Sequence, residues 1–167
     1  QFQFKSLGLR ASWAIPENIH LTLKFLGDVP QNQVQEIRNC LTQGLKNIDR
    51  FQVSLGKLGV FPNWNRPRVF WMGIQDDTKR LFGLWFRVQM QLETVGFAKE
   101  NKEFSPHLTL ARIKSPEGKN RLQKKVAVWQ PLAIQPFEVS EVKLYKSRLT
   151  PQGSIYTVLE TFPFRKS

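Results

Sequence analysis

His20-Leu21-Thr22-Leu23 and His107-Leu108-Thr109-Leu110 are the same tetrapeptide, and the 167 residues contain no other histidine. Each copy reads as strand. Side chains alternate along a strand, so His20 and Thr22 share one face while Leu21 and Leu23 take the other. His107 and Thr109 stand in the same relation to Leu108 and Leu110. Each copy therefore presents a polar pair on a backbone anchored by leucine. The copies lie about half a chain apart, and a helical pattern follows each. This spacing predicts an α+β fold of two pseudo-symmetric lobes of antiparallel sheet, with outer helices, around a central cleft.

The flanking elements follow from periodicity and turn residues. Gln1 to Phe4 alternates like an edge strand, or ends a helix that Gly8 terminates. Ala11 to Ile15 is extended and Pro16 closes it. Ile19 to Leu26 reads as a strand closed by Gly27-Asp28. Asp28 can cap a helix from about Pro30 to Leu45, with Val34, Ile37, Leu41 and Leu45 on one side. Phe51 to Phe61 and Arg68 to Ile74 read as strands. Asp76-Asp77-Thr78 offers caps for a second helix with the stripe Leu81, Leu84, Trp85, Val88, Leu92 and Val95, which Gly96 ends. Phe104 to Ile113 carries the second tetrapeptide. Ser115-Pro116-Glu117 suits the start of a short basic helix, with the serine as cap. Leu132 to Tyr145 and Ser154 to Phe162 complete the strands. Phe25 and Trp71 are expected in the core.

Histidine changes its proton state near neutral pH. If the two polar faces meet, two imidazoles flank a small space into which two threonine hydroxyls point. A tetrahedral phosphate suits that space. One histidine takes a proton from the attacking oxygen and the other gives one to the departing oxygen. The threonines hold the non-bridging oxygens as charge builds. Zinc normally takes three or four protein or solvent ligands, and neither tetrapeptide has a cysteine or second histidine nearby, so no metal or cofactor is expected.

Lys and Arg number 25 against 13 Asp and Glu, a formal charge of +12. Such a surplus gathers anions, nucleic acid first among them. The basic residues are spread along the chain. No apolar run approaches a membrane span, and no apolar signal segment opens the sequence. The lone Cys40 cannot form an internal disulfide, which favours a reducing, cytoplasmic setting; as a residue it reads as a small buried hydrophobe.

Beyond this reading, Pro16 to Gly27 (PENIHLTLKFLG) and Phe104 to Arg112 (FSPHLTLAR) resemble the paired H-x-T-x motifs of the 2H phosphoesterases. The closer resemblance is to the RNA 2′,3′-cyclic phosphodiesterases, also called 2′-5′ RNA ligases. Phe61 to Gly73 (FPNWNRPRVFWMG) is similar to the family's segment before its central strand, and Leu144 to Tyr156 to its closing hairpin. The resemblance spans nearly all of residues 1–167 and implies a single two-lobed domain. It implies hydrolysis of a terminal RNA 2′,3′-cyclic phosphate to a 2′-phosphate, with reversible 2′-5′ ligation. It casts His20 as proton donor, His107 as proton acceptor, and Thr22 and Thr109 as phosphate ligands. Members open with a strand that is absent here, or that Gln1 to Phe4 replaces.

Further candidates surround the motifs. Lys24 lies on the His20 face if the strand stays regular and could meet a phosphate. Arg112 is a phosphate candidate by resemblance, although alternation places it on the Leu108 face. Arg66 and Arg68 bracket Pro67 beside Trp64, where guanidinium suits phosphate and indole can stack on a base. Lys119, Arg121, Lys124 and Lys125 form a basic helix face. The partner expected is an RNA end bearing a cyclic phosphate; no obligate protein partner is inferred. The rival readings are a non-catalytic RNA- or nucleotide-binding module and a phosphodiesterase of 2′-5′ oligoadenylate or small cyclic nucleotides.

Overall fold

A computed structural model of the chain describes residues 1–130, 135–150 and 153–166. In chain order the elements are α1 (Phe2–Lys5), β1 (Ala11–Trp13), α2 (Val34–Gly44), β2 (Phe51–Phe61), β3 (Val69–Gln75), α3 (Arg80–Glu93), β4 (His107–Ile113), α4 (Lys119–Ala127), β5 (Phe137–Val139), β6 (Glu141–Thr150) and β7 (Gly153–Pro163). Among the described residues these strands pair antiparallel, and one isolated bridge, Asp49 with Arg165, is parallel. The α+β class expected from the sequence is observed. Two compact units emerge: Gln1–Thr22 with Ser54–Gln75 and Ser105–Pro136, and Leu23–Val53 with Asp76–Phe104 and Phe137–Ser167.

The first unit is a sheet in the order β1-β4-β3-β2. Its core contains Phe4, Leu58, Val60, Phe70, Leu110, Ala111, Ile113 and Leu122. Phe70 and Leu122 are fully buried. The Phe70 ring packs 5.0 Å from Phe4 and edge-on to Trp13 at 6.3 Å. Truncating such a ring to alanine costs about 3–5 kcal/mol, so Phe70 is the pin of this unit. Trp64 packs against the same core rather than standing as an open stacking surface.

A one-residue irregularity in β4 matters more than any other detail of the sheet. Trp71 pairs with Thr109, but the adjacent Phe70 pairs with Ala111, so Leu110 is an extra residue. Such a bulge reverses the alternation beyond it. Ala111 and Ile113 thereby enter the core, while Arg112 emerges exposed on the same face as Thr109 and His107. The displaced Leu110 carbonyl accepts from the Ala14 N–H at 2.9 Å and the Gln1 side-chain amide at 3.0 Å.

Several expectations need correction. Gln1 to Phe4 is not a strand; the helical alternative holds, with α1 over Phe2–Lys5 and Gly8 at φ 66° beyond it. The strand expected over Ile19 to Leu26 is reduced to one bridge, Leu21 with Leu108. The chain leaves the first unit after Thr22, so little of it can run beside β4. Ser115 does not cap α4, which begins after Gly118 in a left-handed conformation with no side-chain capping bond. Asp28 does not cap α2 either: a 3₁₀ turn over Gln31–Gln33 intervenes. The strand expected from Leu132 to Tyr145 is divided into β5 and β6, and its first three positions lie outside the described residues, as do Pro151 and Gln152 of the closing hairpin.

In the second unit α2 packs on α3. Ile37, Leu41 and Leu45 of one stripe and Leu81, Leu84, Trp85, Val88 and Leu92 of the other are buried, as the spacing predicts. Val95 lies beyond the end of α3 and is half-buried. Close approach depends on Gly44, where a Cβ would fall 2.0 Å from Gln91 Cγ. Asp76 caps α3 by accepting from the backbone N–H groups of Thr78 and Leu81. Gly96, at φ 91°, closes it, and the Phe97 N–H returns to the Leu92 carbonyl at 3.0 Å. The first residues of β2 pair with β5, and β6 pairs with β7 as a long hairpin. Cys40 sits half-buried in α2, its Sγ–H donating to the Ile37 carbonyl, and burial pushes its thiol pKa up. Phe25, expected in the core, is 76% exposed.

Candidate active site

Both H-L-T tripeptides lie in the first unit. The carrying observation is the antiparallel bridge between Leu21 and Leu108. Antiparallel counting from that bridge sets His20 opposite Thr109 and Thr22 opposite His107. By this counting the four polar residues share one face, and Leu21 and Leu108 the other. Directly opposed residues stand about 4.5–5.5 Å apart and diagonal ones about 7–8 Å. The two imidazoles are diagonal. A phosphoryl group placed between them can have one oxygen within hydrogen-bond reach of each ring.

The two histidines are held in the same way. His20 Nδ1 lies 2.7 Å from the Asn18 carbonyl, and His107 Nδ1 lies 2.7 Å from the Ser105 carbonyl. In each case the acceptor is the carbonyl two residues earlier. A carbonyl can only accept, so Nδ1 carries the proton in each of these contacts. His20, Thr22, His107 and Thr109 are all half-buried.

His107 has an aromatic wall that the sequence reading missed. The Phe61 ring meets the imidazole edge-on at 4.9 Å, and Trp71 lies 5.0 Å from Phe61 and 6.1 Å from His107. Trp71 is therefore not a core residue. It pairs with Thr109 on β4 and with Gly59 on β2, and its indole lies across Gly59. Alternation within β3 separates Trp71 from the buried Phe70. What the sequence does not show is the register that brings Phe61, Trp71 and His107 side by side.

The remaining candidates separate. Arg112 stands on the histidine face because of the bulge at Leu110. The Lys24 ammonium, in the second unit, donates to the Gln89 side chain and to the Ala98 carbonyl at 2.7 Å. Burial, partly offset by Glu100 and Glu93, lowers its pKa. Lys24 thus serves to tie its segment to α3. Arg66 and Arg68 line a different cavity, at the edge of the first unit. Among the described residues no group of three or more His, Cys, Asp and Glu is placed to hold a metal ion, and no helix is long and apolar enough to cross a membrane.

Charge is distributed unequally between the units. The first holds 11 Lys and Arg against only Glu17 and Glu117, or +9 of the total +12. The second holds 14 against 11. Every ion pair found among the described residues lies in the second unit. The unit with the two histidines therefore carries a positive field that its own carboxylates do not neutralise.

Known proteins resemble this chain over most of its length. The family described as LigT like Phosphoesterase matches residues 2–71 and 74–156. A Methanothermobacter thermautotrophicus protein named RNA 2′,3′-cyclic phosphodiesterase is 35% identical over 97% of this chain and 87% of its own length. A Methanocaldococcus jannaschii protein of the same name is 36% identical over 96% and 87%. Among solved structures, a Thermus thermophilus protein superposes with a TM-score of 0.77 at 25% identity, covering 99% of this chain and 90% of that one. Escherichia coli LigT complexed with 3′-AMP shares the fold, with a TM-score of 0.71 at 24% identity over 98% and 88%. By a match across most of its length and by these relatives, the chain belongs to the LigT-like phosphoesterase family.

Proposed function

We propose that this protein hydrolyses the terminal 2′,3′-cyclic phosphate of RNA to a 2′-phosphate, using His20 and His107 as acid and base. The Leu21–Leu108 bridge supports the reading, because antiparallel counting from it assigns His20, Thr22, His107 and Thr109 to one face. The names of the relatives and the concentration of positive charge in the same unit support RNA as the substrate.

The geometry suggests the following steps. Water is positioned beside His107. As its oxygen bonds to phosphorus, His107 Nε2 takes the proton. The bond from phosphorus to the 3′ oxygen breaks, and His20 Nε2 delivers a proton to that oxygen. The products are a 3′ hydroxyl and a 2′-phosphate, and a second proton exchange with solvent restores both rings. Thr22 and Thr109 donate to the non-bridging oxygens, where negative charge grows. Arg112 adds a guanidinium on the same face. With a 5′ hydroxyl in place of water the same displacement would give joining: His107 takes the hydroxyl proton as its oxygen bonds to phosphorus, the bond to the 3′ oxygen breaks, His20 protonates that oxygen, and a 2′-5′ linkage and a 3′ hydroxyl result.

The test is direct. An RNA oligonucleotide ending in a 2′,3′-cyclic phosphate should become sensitive to alkaline phosphatase after incubation with the protein. Binding without conversion would establish the non-catalytic module instead. Faster turnover of 2′-5′ oligoadenylate or of a mononucleotide than of the RNA end would move the assignment to those substrates.

A further inference from the structure

Arg66, Arg68, Ser115 and Lys119 line a cavity of about 370 Å³ at the edge of the first unit. Local structure explains why they converge. The Asn63 side chain accepts from the Asn65 and Arg66 N–H groups at 3.0 and 3.1 Å, folding the loop before β3. The Arg68 N–H returns to the Phe61 carbonyl at 2.7 Å, and the Arg68 carbonyl takes the Ile113 N–H at 2.8 Å. This joins the loop to the end of β4, beside the start of α4. Lys119 closes the arrangement by donating to the Asn65 carbonyl at 3.2 Å.

Three features mark the cavity as an anion site. First, it gathers three cations, and among the described residues none of them takes part in an ion pair, whereas Arg38, Arg50 and Arg165 all do. Second, Ser115 Oγ is buried with no hydrogen-bond partner among the described residues. A buried hydroxyl is normally satisfied, so it waits for a partner. Third, α4 begins here with no acidic residue in its first turn, Glu117 just before Gly118 being the acid nearest it in sequence.

Position selects the anion. Ile113 lies six residues beyond His107 on β4, roughly 20 Å at about 3.3 Å per residue. That is too far for the nucleotide bearing the cyclic phosphate to span. Arg112 stands between, exposed on the histidine face, and continues the basic path. We infer that Arg66, Arg68, Ser115 and Lys119 form a second phosphate site, which takes a backbone phosphodiester of the RNA several nucleotides 5′ of the reacting end. This inference rests on the RNA-end reading above and adds a length requirement to it.

The experiment compares the parent with Lys119→Gln, which removes the charge but retains a donor for the Asn65 carbonyl, and with Arg68→Gln. Substrates are a 2′,3′-cyclic mononucleotide and an RNA of ten or so nucleotides with the same end. For Lys119→Gln, KM for the RNA should rise about five- to tenfold with kcat held, and the salt dependence of RNA binding should weaken by about 0.7 in log–log slope for one lost phosphate contact on a single strand. Its turnover of the mononucleotide should match the parent. Arg68→Gln should raise KM for the RNA at least as much. An unmoved RNA KM and salt slope would overturn the site, and so would an equal loss on both substrates. A cavity serving free phosphate would show inorganic phosphate binding lost in Lys119→Gln with RNA binding intact, which also overturns it. If the parent converts no cyclic phosphate at all, the hydrolase reading fails, and the salt slope of RNA binding alone then decides this site.

Discussion

Gly59→Ala tests whether the aromatic wall positions His107. A Cβ at Gly59 would lie 2.3, 2.5 and 2.9 Å from three carbons of the Trp71 indole. Ordinary carbon contacts lie at about 3.5–4.0 Å, so the ring must retreat by more than about 1 Å. It cannot retreat alone, because Phe61 packs 5.0 Å from it and the His107 ring 4.9 Å from Phe61. Overpacking of this kind costs about 1–3 kcal/mol. For a chain of this size each kcal/mol moves Tm by about 2–4 °C, so Tm should fall by roughly 2–12 °C. A catalytic group displaced by about 1 Å can lose about 100-fold in rate, so kcat on a cyclic RNA end should drop by about that factor while the protein stays folded. Differential scanning fluorimetry and a phosphatase-coupled turnover assay measure the two effects. Parent-like melting would refute the packing argument. Lower Tm with kcat within about twofold of the parent would refute the claim that Phe61 and Trp71 orient the imidazole.

His20→Ala and His107→Ala should each lower kcat by about 100- to 10,000-fold, with circular dichroism unchanged, since each removes one proton-transfer partner. The kcat/KM profile against pH should be bell-shaped, because the reaction needs one imidazole neutral and the other protonated. EDTA should leave turnover intact, and loss restored by zinc would replace the two-histidine mechanism with a metal-assisted one. Arg112→Ala should reduce kcat/KM by about tenfold or more, as expected for a charged phosphate contact of about 1.5–3 kcal/mol; an unaffected value would show that the bulge at Leu110 does not serve the reaction. Gly83→Ala, in α3 with nothing within 4 Å of the added Cβ, should stabilise by about 0.5–1 kcal/mol, read as a small rise in Tm.

Much of this protein is legible in one dimension. The duplicated H-L-T-L, the helical stripes of α2 and α3, and the strand character of β3 and β4 all rest on short-range periodicity, which a sequence displays directly. The residues proposed as acid, base and phosphate-binding hydroxyls come from the same tetrapeptides. Three things were decided only by long-range pairing. The first copy of the motif is held at a single bridge, because the chain passes out of the first unit at Thr22. Arg112 reaches the histidine face because one extra residue in β4 reverses alternation, and no local pattern around Leu110 signals a bulge. The positive charge, evenly spread in sequence, is concentrated when three separate segments fold into one unit and the carboxylates gather in the other. Periodicity tells which side of its own strand a residue occupies; which neighbours share that side depends on register, and register is a property of the packed sheet.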